Sequence, residues 1–302
     1  MRDHVLLAHI SDLHLLDLAG TRWWQFLNKR ATGAANLALA RRHAHSTGIA
    51  RAAVQDVLAQ APDHTIVTGD LSNLSFDSEL RLAREVLAPL IPGGLSLVPG
   101  NHDVYLHGAV HEDRFQRHFG DLLGQPLATP GPSPPPFPSA RRLGPEDAPV
   151  ALVGLSSVHP TPPLFAHGRV GRAQLDRLRR AASAPPLADA SFRVAALHHN
   201  LHPRGLRKDW MHGLRDRAAV LDTLEELGFG LVLHGHTHRA HQTRRGAMWV
   251  IGCGSTSWDR PEPDRVGRYN LYEIRDGALA AARVRVYDRA TGAFTEGRPL
   301  AL

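Results

Sequence analysis

The sequence is poor in cysteine: Cys253 is the only one in 302 residues. No intrachain disulfide can form, which suits a reducing compartment, and a thiolate zinc cluster is ruled out. Long apolar runs are missing as well. None approaches the roughly 20 residues that a membrane-spanning helix needs, and no apolar secretory core follows Met1-Arg2-Asp3-His4. These absences predict a cytoplasmic protein. Charge is unbalanced only mildly, at +6 with a high pI, mostly from arginine. That excess suits anionic substrates or surfaces, but it is too small and too scattered to argue for nucleic acid. The length fits one large domain or two small ones, ample for a sizeable core. What the chain does hold in quantity is histidine, 20 residues of it, gathered at the ends of apolar runs.

The first such run, Val5–Ala8, reads as a buried strand leading into His9-Ile10-Ser11-Asp12-Leu13-His14. Asp12 and His14 lie two apart, so in an extended segment they face the same side. Thr21–Arg30 follows, with Trp23, Trp24 and Phe26 among Arg22, Lys29 and Arg30. Together with a helical pattern over 37–42, it reads either as an amphipathic helix packed on the body or as a hydrophobic, basic lip beside a site. Such a lip would hold an apolar substrate group or touch a membrane surface.

Beyond it the pattern alternates. Helices are expected over 49–60, 79–90, 110–119, 172–180 and 216–227. Strands are expected over 65–68, 95–98, 150–155, 192–197, 231–233 and 248–251. Residues 269–274 and 282–287 form a closing β-hairpin across Asp276-Gly277. The proline-rich stretch 125–149 reads as an exposed loop, because no helix or central strand tolerates that density. This is an α/β fold, whose sites collect at strand carboxyl ends.

The strand ends carry Asp12 and His14, then Asp70, Asn101, His198, and finally His236 and His238. Carboxylate and amide oxygens mixed with imidazoles suit Mn, Fe, Zn or Co. Seven donors are too many for one tetrahedral zinc but fit two ions sharing a carboxylate. Glycines precede Asp70, Asn101 and His236, allowing the tight turns that would aim these side chains together. Singly, each residue has an ordinary explanation as a hydrogen-bonded histidine, a helix cap or a turn. Jointly, such coincidences would have to recur at five strand ends.

Asp12-Leu13-His14, Gly69-Asp70, Gly100-Asn101-His102-Asp103, His198-His199 and Gly235-His236-Thr237-His238 resemble, in content and order, the five blocks of the calcineurin-like metallophosphoesterases. The resemblance implies a two-sheet αββα sandwich over a single domain, 1–302, with a dinuclear site at its edge. It implies one metal on Asp12, His14, Asp70 and His238 and another on Asp70, Asn101, His198 and His236, with Asp70 bridging. Two ions roughly 3.5–4 Å apart can clamp an in-line phosphoryl displacement, with a bridging hydroxide as nucleophile. By the same resemblance His102 protonates the leaving alkoxide, and Asp103 either orients His102 or caps the next helix. His199, Trp23 and Trp24 are candidate substrate contacts. The chain departs from the pattern at Asn200-Leu201, where many bacterial members carry two prolines, and in its tryptophan-rich and proline-rich segments.

The leading expectation is hydrolysis of a small anionic phosphodiester, such as a cyclic nucleotide or glycerophosphodiester. A second is a pyrophosphatase of a nucleotide-linked lipid of the UDP-diacylglucosamine type, favoured by the aromatic, basic segment. His102 counts against its best-known form, which typically has arginine there. A nuclease lacks support, because no capping domain, coiled coil or basic stripe is evident. A non-catalytic scaffold conflicts with an intact ligand set.

Overall fold

A computed structural model describes residues 4–27, 30–31, 44–104, 109–127, 135–260, 262 and 265–302. The chain opens with β1 (His4–Ile10) and a single 3-10 turn, Trp23–Phe26. Then come α1 (Thr47–Gln60), β2 (His64–Val67), α2 (Asp77–Leu87), β3 (Leu95–Leu97) and α3 (Ala109–Phe119). The second half runs β4 (Gln125–Pro126), β5 (Ser139–Leu143), β6 (Val150–Gly154), α4 (Arg172–Ala181) and β7 (Phe192–Ala196). It continues through α5 (Leu206–His212), α6 (Arg217–Glu226), β8 (Leu231–His234), β9 (Ala240–Arg245) and β10 (Met248–Cys253). β11 (Arg268–Arg275), β12 (Ala278–Asp288) and β13 (Ala293–Glu296) close it.

The strands make two mixed sheets, ordered β13-β12-β11-β1-β2-β3 and β4-β5-β6-β7-β8-β10-β9. β1, β2 and β3 run parallel, as do β6, β7, β8 and β10, while β11 lies antiparallel to β1. The alternation of side chains sorts the core into three layers. Val5 and Leu7 of β1 meet Val194, Ala196, Leu231, Leu233 and Tyr272 between the sheets. Leu6, Ala8 and Ile10 point the other way, onto Ile49, Val54 and Leu80 of α1 and α2. Ala195 and Val232 cover the outer face of the second sheet with Leu175, Leu178 and Leu224 of α4 and α6. Sheets covered on both faces explain why these strands read as continuous apolar runs. Ser46 caps α1 by accepting from the Ile49 amide at 3.3 Å, and Ala61, left-handed at φ 47°, ends it just before Pro62.

Two expectations need correction here. The stretch 125–149 is not wholly an exposed loop. β4 and β5 pair within it, Phe137 and Pro138 are buried, and β5 bonds to β6 from Ser139↔Gly154 to Leu143↔Val150. No proline falls among the five residues after Pro138, which are therefore free to donate. Pro130, Pro132 and Pro134 lie outside the described residues, as does the helix expected over 37–42. The hairpin at 269–287 is present, but β13 extends it to a third strand. No helix among the described residues is long and apolar enough to cross a membrane.

Candidate metal centre

The loops after β1, β2, β3, β7 and β8 meet at one edge of the two sheets. The loop after β1 runs alongside the loop after β2 as if the ladder continued: Asp12 N–H donates to Gly69 O at 3.0 Å, His14 to Asp70 O at 2.9 Å and Leu15 to Leu71 O at 2.8 Å. The segment after β10 holds it from the other sheet, with Ser255 Oγ on Asp12 O at 2.7 Å and Ser257 Oγ on Leu13 O at 2.6 Å. Close approach, more than turn geometry, explains two of the glycines. A Cβ on Gly100 would fall on the backbone and carboxylate of Asp70, and one on Gly235 would fall on Ser11 and Asp12; only Gly69, at φ 84°, also needs the left-handed region.

All seven expected donors converge. Asp12, His14, Asp70 and His238 form one group, and Asp70, His198 and His236 a second, with Asp70 common to both. Asp70 Oδ2 stands 3.6 Å from His14 Nε2 and 3.3 Å from His198 Nε2. His238 Nε2 lies 2.8 Å from His14 Nε2 and 3.4 Å from Asp12 Oδ1. Asn101 Oδ1 lies 3.1 Å from His198 Nε2 and 2.9 Å from His236 Nδ1.

The outer atoms of the same side chains are tied down. His198 Nδ1 donates to Thr68 O at 2.7 Å and His236 Nε2 to His212 O at 2.8 Å, which turns the other nitrogen of each ring inward. Asp12 Oδ2 accepts from Ser11 Oγ at 2.6 Å and from the His236 amide, and Asp70 Oδ1 from the His102 amide at 2.8 Å.

This donor set fits cations. Imidazole nitrogens and acceptor-only oxygens face one another at 2.8–3.6 Å, an arrangement that repels unless protons or metal ions lie between them. Burial works against a charge on His198, yet the Asp70 and Asp12 carboxylates outweigh it and push the imidazole up to about 9. Burial also opposes the Asp70 carboxylate, but His198, His102 and His14 hold it well below the usual range. Burial lowers His14 and His236, leaving neutral imidazoles.

Among the other expected site residues, His102 stands beside the centre, its ring 4.8 Å from that of His14 and its Nδ1 donating to Asn73 O at 2.6 Å. Asp103 is fully buried beneath the loops. Its oxygens accept from the amides of Leu71, Ser72 and Gly100 at 2.9–3.0 Å, so it clamps the β2 and β3 loops together, and α3 begins well beyond it. His199 is fully buried; Nε2 donates to Ala166 O at 3.1 Å and Nδ1 accepts from Ser157 Oγ at 2.8 Å, and its ring packs against that of His236 at 4.5 Å, bracing it from behind.

Trp23 and Trp24 are 72% and 47% exposed, so the packed-helix reading fails for both. Phe26 alone of the three packs inward, 5.3 Å from Phe76. Arg30 does not join the exposed face, since it is buried against Leu74 O and Ser75 O, and Lys29 lies outside the described residues. Sequence reasoning missed His45, whose ring is 4.5 Å from His14, and Asn73, which binds both the His14 carbonyl and His102. Neither ends an apolar run, so neither carries the signal that exposed the others.

Two sheets whose strand ends bring together Asp, Asn and His donors around a shared carboxylate define a candidate dinuclear metal centre. The chain belongs to the calcineurin-like phosphoesterases, whose family model matches residues 5–240. A search of curated proteins finds no match. Among solved structures, a dimetal phosphatase of Danio rerio is similar with a TM-score of 0.57 at 14% identity, over 93% of this chain and 95% of that one. The sulfate thiohydrolase SoxB of Thermus thermophilus, in complex with glycerol, reaches 0.56 at 20% identity over 98% of this chain and 58% of its own. The purple acid phosphatase PPD1 of yellow lupin reaches 0.55 at 9% identity, over 98% and 53%. At these identities the likeness establishes the fold.

Proposed function

We propose that the protein is a dinuclear metal-dependent phosphodiesterase. The observation that carries this reading is Asp70 Oδ2, which faces both donor groups, at 3.6 Å from His14 and 3.3 Å from His198. Asp12, His14, Asp70 and His238 would hold one ion, and Asp70, Asn101, His198 and His236 the other. When bound, the ions supply Lewis acidity to phosphoryl oxygens and to water. With two divalent ions, the Asp12 and Asp70 carboxylates leave the centre with about two net positive charges. A hydroxide ion and a diester monoanion balance that charge, whereas a monoester dianion overshoots it.

The chain's own contribution is orientation and proton transfer. Thr68 O and His212 O fix the tautomers of His198 and His236. With Nδ1 of His102 tied to Asn73 O, proton transfer to a leaving alkoxide goes through Nε2. His102→Ala should keep its metals yet lose kcat by roughly 10²–10⁴-fold on alkyl esters. It should lose much less on p-nitrophenyl esters, which leave without protonation. An equal loss on both would assign His102 to binding.

A panel on metal-reconstituted protein identifies the substrate class: bis-p-nitrophenyl phosphate, p-nitrophenyl phosphate, cyclic AMP, glycerophosphocholine and a UDP-linked lipid. Turnover of p-nitrophenyl phosphate far above the diester would overturn the proposal. The exposed Trp23 and Trp24 favour a second reading, a pyrophosphatase of a nucleotide-linked lipid working at a membrane surface. The turn that carries them rests through Phe26 on Phe76, in the loop whose Asn73 accepts from His102.

A further inference from the structure

A second group of histidines, His202, His234 and His241, lies apart from these donors. His241 sits on β9, Gly252 on β10 and His234 on β8, and the three are in register across adjacent strands: His241↔Gly252↔His234. Residues in register share a face, so the two imidazoles flank a position that has no side chain. The vacancy is needed, because a Cβ on Gly252 would stand 2.5 Å from Cε1 of His234. His202, from the loop after β7, closes the group. Its ring stacks on that of His241 at 3.4 Å between centroids and 9° between planes, and lies 5.5 Å from that of His234.

One nitrogen from each ring lies within 4.8 Å of the others. Each ring also keeps a buried nitrogen with no hydrogen-bond partner among the described residues: Nδ1 of His202, Nε2 of His234 and Nδ1 of His241. His234 is fully buried. Orphaned buried nitrogens cost free energy unless something binds them, and three in one place share one remedy. Burial lowers His202 to about 4 and lowers His241 as well. Both are therefore neutral, as a metal ligand must be. Arg217 and Arg204 stand near His202, and Asp209 offsets them, with Oδ2 3.3 Å from Arg217 and both oxygens on the Arg204 amide.

We propose that His202, His234 and His241 form a third metal site, a three-imidazole site for Zn²⁺ that fastens the β9 edge and the β7 loop to β8. Tetrahedral zinc with nitrogen ligands at about 2.0–2.1 Å needs nitrogens roughly 3.3 Å apart; the nitrogens present lie within 4.8 Å of one another, and His202 has to turn out of its stack on His241 for both lone pairs to meet one ion, with water as fourth ligand. This reading is independent of the phosphodiesterase proposal, because it uses none of the same side chains.

The test measures bound zinc, with no affinity tag, after equilibration with Zn²⁺ and gel filtration. It compares Asp70→Ala, which disrupts the shared carboxylate, with Asp70→Ala/His241→Ala and Asp70→Ala/His202→Ala. The proposal expects each double variant to bind about one zinc fewer than Asp70→Ala. It also expects Zn²⁺ to raise the Tm of Asp70→Ala by more than that of either double variant. In the otherwise native chain, His241→Ala should lose the same single zinc and keep its phosphoester hydrolysis. Equal zinc content in Asp70→Ala and both double variants overturns the proposal. Failure of the dinuclear reading would instead show as metal content unaffected by Asp70→Ala itself.

Discussion

Gly100→Ala tests how the centre is assembled, because it adds one methyl group where two loops touch. The methyl would fall on the Asp70 amide nitrogen and carboxylate, and 2.8 Å from Asp70 Cα. Gly100 is not among the positive-φ residues, so alanine brings no backbone strain of its own. The neighbour cannot yield by rotating a flexible side chain, since backbone is what the methyl meets. Asp70 is also held by its carbonyl to His14 and by its carboxylate to the His102 amide. Overpacking of this kind costs about 1–3 kcal/mol, and contact with backbone argues for the upper end. For a chain of this size that lowers Tm by roughly 3–5 °C. The displaced carboxylate should also reduce metal content and activity together. Gly93→Ala is the control, since a Cβ there meets nothing within 4 Å. Thermal melts of the metal-free proteins and metal analysis of the reconstituted ones decide the matter. If Gly100→Ala melts with Gly93→Ala and holds as much metal as the parent, the close-packed view of the two loops is wrong.

Two other substitutions probe the centre and its rim. Asp70→Ala should lose the ions of the dinuclear centre and abolish turnover, because one side chain serves both groups; metal analysis against the parent protein checks it, and full retention would refute the shared carboxylate. Trp23→Ser/Trp24→Ser should leave Tm and turnover of bis-p-nitrophenyl phosphate unchanged, because both rings are exposed, while turnover of a UDP-linked lipid or binding to anionic vesicles falls several-fold. A lower Tm with parallel losses on every substrate would show that the rings support the fold instead.

Most of the chain's architecture could be read from its apolar runs, and the exceptions have physical causes. β1, β7 and β8 are buried on both faces, so length and the polar residues that end them identify them, not alternation. β9 was invisible because Ala-His-Gln-Thr-Arg-Arg lies at a sheet edge with little to bury. β5 hid behind the prolines that precede it. The short helix α5 buries none of its residues, so it carries no apolar stripe. The donors of the centre were legible because each follows a strand. The surroundings of Asp103 and His199 were not legible for the complementary reason: adjacency in sequence to a donor says nothing about which way the next side chain turns. Asp103 turns under the loops and His199 behind His236.

The sequence is silent about one further property of the centre. Asp12, His14, Asp70, His236 and His238 all adopt positive φ, between 44° and 70°. For residues with a Cβ this conformation costs about 1 kcal/mol or more each, so together the five weigh against a typical domain's entire net stability. Asp and His are among the residues that tolerate it best, which helps to explain why these types can occupy such turns. The turn after each strand swings the side chain out of the strand's own alternation. That is why donors from two different sheets, spaced by periods that would otherwise scatter them, reach one point. The strain persists because surrounding bonds over-determine it. The β1 loop is laddered to the β2 loop, Ser255 and Ser257 grip it from the second sheet, and the His236 amide is bonded to the Asp12 carboxylate. Each of those bonds joins residues far apart in sequence. The cost is local, the compensation is not, and only the folded chain brings the two together.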